Sequence, residues 1–245
     1  MNPYAISVKP FGEEAVLIEW PNRVEEAILK DILEFNKYLQ EKLPGSGRWE
    51  QVPAYNSLTL INNKEGIDFE DMKKKLLGWY TEKKAVDPAP RYLWTLPVCY
   101  TPEYGEDLKE VADLLDYSVE ELIAEHTAHN YTVYGIGFLP GFMYLGGIPK
   151  ALETPRRSTP RLKVPSGSVG LAGKQTGIYP QESPGGWNII GNCPIPIFDV
   201  TKNPPSFVSV GDKIRFYSIT QGEYDLRKIE GEVGIYKPEK ELLDD

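Results

Sequence analysis

The chain has 245 residues but only two cysteines, two histidines and three methionines. Cys99 and Cys193 stand far apart and neither belongs to a CxxC pair, which argues against a disulfide framework or a zinc knuckle. His126 and His129 make an HxxH pair with no cysteine nearby, so no metal site is expected. Positive charge is short as well: 27 Lys and Arg against 36 Asp and Glu leave a net charge of −9. A general nucleic-acid binder carries a basic face, and that class is set aside. The opening residues MNPYAISVKPFGEE hold no apolar signal core, which makes a cytoplasmic location the expectation. A long apolar helix is missing too. The longest uncharged run, Asn130 to Pro149, contains five glycines and Pro140, too many breaks for a lipid-spanning helix.

What is present reads as an α+β protein in two parts. In residues 1–88, AISVK and AVLIEW look like strands around a turn at Phe11–Glu14. Val24, Ala27, Ile28, Ile32, Phe35, Tyr38 and Leu39 recur at helical spacing and predict a helix over 24–43, ended by PGSG at 44–47. SLTLI is a further strand, DFEDMKKKLLGWYTEKK a helix capped by Asp68, and RYLWTLPV a strand again. This order suggests a small ferredoxin-like sandwich, with a boundary at VDPAP, 86–90. Residues 89–238 open with two helices, Glu106 to Leu115 and Ser118 to His129, the second announced by the capping box Ser118-x-x-Glu121. Short β-like pieces follow, TVYGIGF, SVGLAG, WNIIG, KIRFYSI and EVGIYK, separated by proline and glycine, as in a barrel or sandwich. SVGDKIRF reads as a late hairpin turning at Gly211-Asp212. Residues 239–245 read as a loose acidic tail.

Three features invite chemical readings. The helix pair superficially resembles a helix-turn-helix, yet it would present Glu120, Glu121 and Glu125 to phosphates, which opposes DNA binding. GFLPGFMYLGG, 137–147, is glycine-rich like a phosphate loop, but no helix follows whose amides could face an anion. His126 falls on the inward helix face with Val119 and Leu122, so it is either a packed, hydrogen-bonded histidine or a general acid/base. The basic residues cluster: Lys150, Arg156, Arg157, Arg161, Lys163 and Lys174 face a single acid, Glu153, between 150 and 174. In an acidic chain such a reversal points to an anionic ligand or an acidic partner, with a solvated basic loop as the plain alternative. The adjoining glycine-rich stretch carries Gln175, Tyr179 and Trp187, and its glycines either admit a ligand closely or turn barrel corners.

The segments EHTAHNYTVYGIGFLPGFMYLGG and TPRRSTPRLKVPSGSVGLAGKQTGIYPQESPGGWNIIGNCPIPIFD, with WEQVPAYNSLTL earlier, resemble a family known under several names: allophanate hydrolase subunit 1, sporulation kinase inhibitor, and the B subunit of bacterial 5-oxoprolinase. The resemblance covers nearly the whole chain. It implies a small α+β domain followed by a cyclophilin-like β-barrel domain carrying two helices. It also implies two partners, a homologous barrel protein (the C subunit) and a separate A subunit. Together the three convert 5-oxoproline to glutamate at the expense of ATP. ATP with Mg would then belong to the complex, with none assigned to this chain alone. Related paired domains form the carboxyl-transfer half of urea carboxylase, and another member inhibits a sporulation histidine kinase. The family's histidine falls on His126, its PRR and PR words on Arg156, Arg157 and Arg161, QTGIYP on Gln175 to Pro180, and SPGGW on Ser183 to Trp187. Departures are YGEDL where Gly-Pro-Asp-Leu is usual, Met143 for proline, Ser166 for alanine, and Lys174.

A lactam resists hydrolysis, and phosphorylating its carbonyl oxygen would give an imidate open to water. That chemistry needs cations and a base. The resemblance together with the charge reversal assigns anion and substrate binding to Arg156, Arg157, Arg161, Lys163, Gln175 and Tyr179, and the base to His126. Phe138, Phe142, Tyr144 and Trp187 would form a water-excluding groove wall. Two other functions stay open: a binding module that inhibits a sensor histidine kinase, and a carboxyltransferase-like half of a urea carboxylase/allophanate system.

Overall fold

The structure is a computed structural model that describes residues 4–43, 45, 47–83 and 89–243. Two compact units are present, Met1–Pro90 and Arg91–Asp245. Residues 44 and 46, part of the expected helix stop, and 84–88, which overlap the expected boundary, lie outside the described residues.

The first unit runs β1 (Ser7–Pro10), β2 (Ala15–Glu19), α1 (Glu26–Lys42), β3 (Trp49–Ala54), β4 (Ser57–Asn62) and α2 (Phe69–Glu82). Its sheet has the order β1-β2-β4-β3 and is antiparallel throughout. The ferredoxin-like expectation is not confirmed: that fold threads βαββαβ, whereas this unit threads ββαββα. Here the strand beside β2 is β1, which precedes it, and the strand after α2 joins the other unit. Alternation along β2 and β4 buries Val16, Ile18, Leu58 and Leu60 against Ile28, Ile32, Phe35 and Leu39 of α1 and Leu76 and Tyr80 of α2. Asp68 caps α2 by accepting a bond from Asp71 N at 3.1 Å.

One charge lies inside this core. Asp31, 5% exposed, accepts from Trp20 Nε1 and Tyr80 Oη, both at 2.6 Å, and pairs with Lys83 Nζ at 2.5 Å. Burial, with Asp31 beside it, pushes the Tyr80 phenol well up, so it stays a donor. A buried carboxylate is tolerable only with such partners.

The second unit contains β5 (Tyr92–Cys99), α3 (Leu108–Leu114), α4 (Val119–Thr127), β6 (Asn130–Ile136), β7 (Met143–Gly146), β8 (Arg161–Val164), β9 (Ser168–Ala172), β10 (Gln175–Ile178), β11 (Ser183–Gly185), β12 (Asn188–Asn192), β13 (Lys213–Ile219), α5 (Gln221–Glu232) and β14 (Glu239–Leu242). Seven strands close a barrel in the order β12-β9-β10-β7-β6-β13-β5, with Asn192 of β12 meeting Cys99 of β5. β5 and β13 are parallel, and β8 and β11 form a separate two-stranded ribbon. Inward residues of the strands, including Leu96, Tyr131, Met143, Leu145, Val169, Leu171, Ile178, Ile190 and Phe216, make one core, to which α3 and α4 add Leu108, Val111, Ala112 and Leu122. Ser118 and Glu121 close the capping box that starts α4.

Three expectations change here. EVGIYK is no strand: it continues from α5, whose own capping box is Thr220 with Glu223. KIRFYSI is β13, but it pairs with β6 and β5 rather than closing a local hairpin. The segment expected as a loose tail supplies β14, which pairs with β5; only 244 and 245 fall outside the described residues. No described helix is long and apolar enough to cross a membrane.

Asp31→Ala removes the nearer of the two carboxylates beside the buried Lys83 ammonium, leaving only Glu34 at 3.7 Å, and leaves two donors without an acceptor. Urea unfolding followed by tryptophan fluorescence should find the first unit destabilised by about 3–5 kcal/mol.

Candidate functional site

His126 lies in the barrel core with no exposed surface. Its ring stacks on Phe216 at 4.9 Å and on Tyr131 at 5.4 Å. Both nitrogens are engaged: Nδ1 with Tyr100 Oη at 2.7 Å, and Nε2 with Thr176 Oγ1 at 3.1 Å. The direction of these bonds follows from Gly170 O, which can only accept. Thr176 donates its one hydroxyl proton there at 3.0 Å, so it must accept from His126 Nε2–H. Nδ1 is then bare and accepts from Tyr100. Burial, with His129 adding to it, drives the imidazole pKa down to about 3. This ring has no path to a substrate and no free lone pair, so the base expected at His126 is a structural residue in this conformation. His129, three residues on, is half-exposed and pairs with Glu125 at 3.0 Å.

Strand alternation builds a second cluster on the opposite face of β7, β9, β10 and β12: Phe142, Val164, Ala172, Tyr179, Trp187 and Ile189. Trp187 packs edge-on to Phe142 at 5.4 Å and to Tyr179 at 6.4 Å, and Tyr144 flanks it at 6.4 Å. The glycines beneath make room. A Cβ on Gly170 would come within 3.1 Å of Trp187 Cβ, and one on Gly177 within 3.1 Å of its Cζ3. These glycines therefore admit the protein's own indole rather than a ligand. Phe142, Tyr179 and Trp187 are 2%, 2% and 5% exposed, so the expected groove wall is a packed layer instead of an open surface. Phe138 is its exposed member at 69%, held at φ +69° at the β6–β7 tip, with its ring 5.9 Å from Phe142. That tip bonds to itself, Gly137 N to Phe142 O and Phe142 N to Leu139 O, both at 3.0 Å, unlike a phosphate cradle.

The basic segment resolves into unlike roles. Arg157 Nη1 donates to Asp107 Oδ1 at 2.8 Å and to Glu110 at 3.1 Å. Arg161 donates to Asp107 Oδ1 at 2.6 Å through Nη2 and pairs with Glu106 at 2.7 Å through Nε. Lys163 is exposed and pairs with Glu182 at 3.4 Å, and Lys174 with Glu153 at 3.9 Å. Gln175 heads β10 opposite Ala172. Arg156 differs: it is exposed, forms no ion pair among the described residues, and stands 6.0 Å over the Trp187 ring. Burial pushes the Tyr144 and Tyr179 phenols up, while the Arg156 charge pulls both back. A cleft of about 450 Å³ opens at Arg156, between Pro155–Thr159, Asn188 and the Glu110–Leu114 face of α3. Lys163, Gln175 and Tyr179 do not line it. Ser158, Thr159 and Asn188 do, and the sequence reading passed over them. An exposed Ser-Thr pair directly after an arginine pair was the signal that could have found them.

The buried imidazole sets a pH dependence. Its folded pKa lies below the unfolded value of about 6.5, so its contribution is complete above pH 6.5 and is lost as pH falls toward 3. The unfolding free energy from urea titrations should fall between pH 6.5 and 4 with a slope of up to about 1.4 kcal/mol per pH unit from this group. His126→Gln should flatten that slope.

Comparison with known proteins agrees with this architecture. The family model described as "Carboxyltransferase domain, subdomain C and D" matches residues 6–208. The 5-oxoprolinase B subunit of Bacillus subtilis (strain 168) is 36% identical over 233 residues, 91% of this chain and 97% of that protein. The 5-oxoprolinase B subunit of Escherichia coli O157:H7 is 38% identical over 212 residues, 86% and 95% of the two chains. The Kluyveromyces lactis urea carboxylase structure superposes with a TM-score of 0.78 over 99% of this chain and 25% of that one. At 17% identity this last likeness speaks for the fold alone. On the strength of these full-length relatives and of the barrel and motifs described above, the chain belongs to the family of 5-oxoprolinase B subunits.

Proposed function

We propose that this chain is the B subunit of an ATP-dependent 5-oxoprolinase, which hydrolyses 5-oxoproline to glutamate together with its A and C subunits. The observation that carries the site assignment is Arg156: the one arginine of its basic segment without a carboxylate partner among the described residues, in a cleft it shares with the hydroxyls of Ser158 and Thr159, the Asn188 amide and the Arg157–Glu110 pair. A guanidinium can take the substrate carboxylate in a forked pair. The Trp187 ring, 6.0 Å from Arg156 Cζ, stands at cation–π range and covers one side of the guanidinium. Ser158 and Thr159 add neutral donors for a lactam carbonyl or a carboxylate. Arg161 holds the loop through carboxylates away from the cleft, whereas Arg157 lines the cleft with its charge already met by Asp107 and Glu110.

ATP and its Mg do not fit the described residues of this chain. The glycine-rich tip bonds to itself, Arg157 and Arg161 are neutralised, and no group of three or more His, Cys, Asp or Glu side chains suited to a metal ion occurs among the described residues. ATP and Mg are thus kept as properties of the three-subunit complex. The carboxyltransferase alternative is weaker, because the urea amidolyase of Saccharomyces cerevisiae is only 26% identical over 58% of this chain.

Reconstitution with the A and C subunits tests the proposal. Omitting this chain should abolish ATP-dependent glutamate release, and an unchanged rate would reject the assignment. Arg156→Ala in the full mixture should raise KM for 5-oxoproline by about tenfold, the loss expected of one charge-assisted contact.

A further inference from the structure

Asp107 is 2% exposed and occupies the N-cap position of α3, yet its side chain makes no capping bond. A cap aspartate ordinarily accepts from an amide of its own first turn. Here the carboxylate reaches across the fold. Oδ2 accepts from Ile189 N at 2.7 Å, and Asp107 N donates to Ile189 O at 2.9 Å, so residue and strand β12 are bonded in both directions. Oδ1 takes Arg157 and Arg161 together. The close passage is itself built in: a Cβ on Gly105 would lie 2.3 Å from Ile190 O.

These bonds bracket Arg156. The residue after it, Arg157, is held by its side chain to Asp107 and by its amide to Gly186 O at 2.9 Å. The residue before it, Pro155, has its carbonyl bonded by Asn188 Nδ2 at 2.8 Å. Asn188 directly precedes Ile189, and Trp187 precedes Asn188. One carboxylate thus fixes both the loop that carries Arg156 and the strand that carries the ring under it. We propose that Asp107 is the positioning residue of the anion site, setting where the Arg156 guanidinium stands above Trp187. It touches no substrate itself.

This inference rests on the assignment of Arg156 to substrate carboxylate, and the experiment separates the two. Asp107→Asn keeps an oxygen for Ile189 N–H but removes the charge that holds two guanidinium groups. Steady-state kinetics of the complex with the A and C subunits, at saturating ATP and well below the melting temperature, should show KM for 5-oxoproline raised about tenfold with kcat within about threefold, as expected for lost substrate positioning. The double variant Asp107→Asn/Arg156→Ala should be no worse than Arg156→Ala alone, because both changes remove the same contact. A purely structural Asp107 would lower the melting temperature and leave KM unchanged; that result, with Arg156→Ala still raising KM, overturns the positioning role alone. If Arg156→Ala itself leaves KM unchanged, the anion site falls and the positioning role with it. Should Asp107→Asn fail to fold, Arg157→Gln reads the same tether: a raised KM that adds nothing in the Arg156→Ala background supports the proposal, whereas an unchanged KM, or a loss that adds to that of Arg156→Ala as a direct contact of Arg157 would, rejects it.

Discussion

The candidate site depends on Trp187 packing over two strand positions that carry no side chain. Gly170 and Gly177 leave a shallow trough on the outer barrel face, and the indole fills it. Phe142 and Tyr179 then meet its edges, and the β8–β11 ribbon closes over the cluster through Val164, with Gly185 fitted under the Tyr179 hydroxyl. The loop over this layer presents Arg156 on an apolar, polarisable surface in place of a wet one. A cation held so loses part of its hydration before any ligand arrives, which strengthens its pull on a carboxylate.

Local features were legible in the sequence and long-range ones were not. Asp68 and the Ser118–Glu121 box mark helix starts because each cap is completed within one turn. The alternation in AVLIEW and SLTLI corresponds to real strands, β2 and β4. The ferredoxin-like expectation is not confirmed because of connectivity: the edge beside β2 is filled by β1 rather than by a strand after α2, and no local window encodes which strand takes that edge. α5 escaped notice because its outward face carries Leu226 and Ile229 among its charges, which blurs the helical stripe. β14 has strand form only through β5, and its own residues, Glu-Lys-Glu-Leu, are those of a solvated tail.

The site shows the same division. The glycine-rich and basic words located the right region, and the local charge surplus looked like a ready anion sink. Across the fold that surplus is mostly met: Asp107, Glu106 and Glu110 come from α3 and the turn before it to Arg157 and Arg161, and Glu182 comes to Lys163. What distinguishes Arg156 from Arg157 is which acid lies near each in space. Likewise the motif histidine pointed at catalysis, while the fold encloses it in phenol, hydroxyl and aromatic faces.

The parallel pairing of β5 with β13 has a consequence for how the chain reaches this state. β5 is made early, but its parallel partner lies far downstream, beyond every other barrel strand. As the chain leaves a ribosome, Leu96, Val98 and the polar ring of His126 cannot be sealed until Lys213–Ile219 has emerged. The barrel is therefore a high-contact-order closure, slow for its size and exposed to wrong partners while it waits. A nonsense or frameshift change after α4 would release not a smaller barrel but an open, sticky sheet.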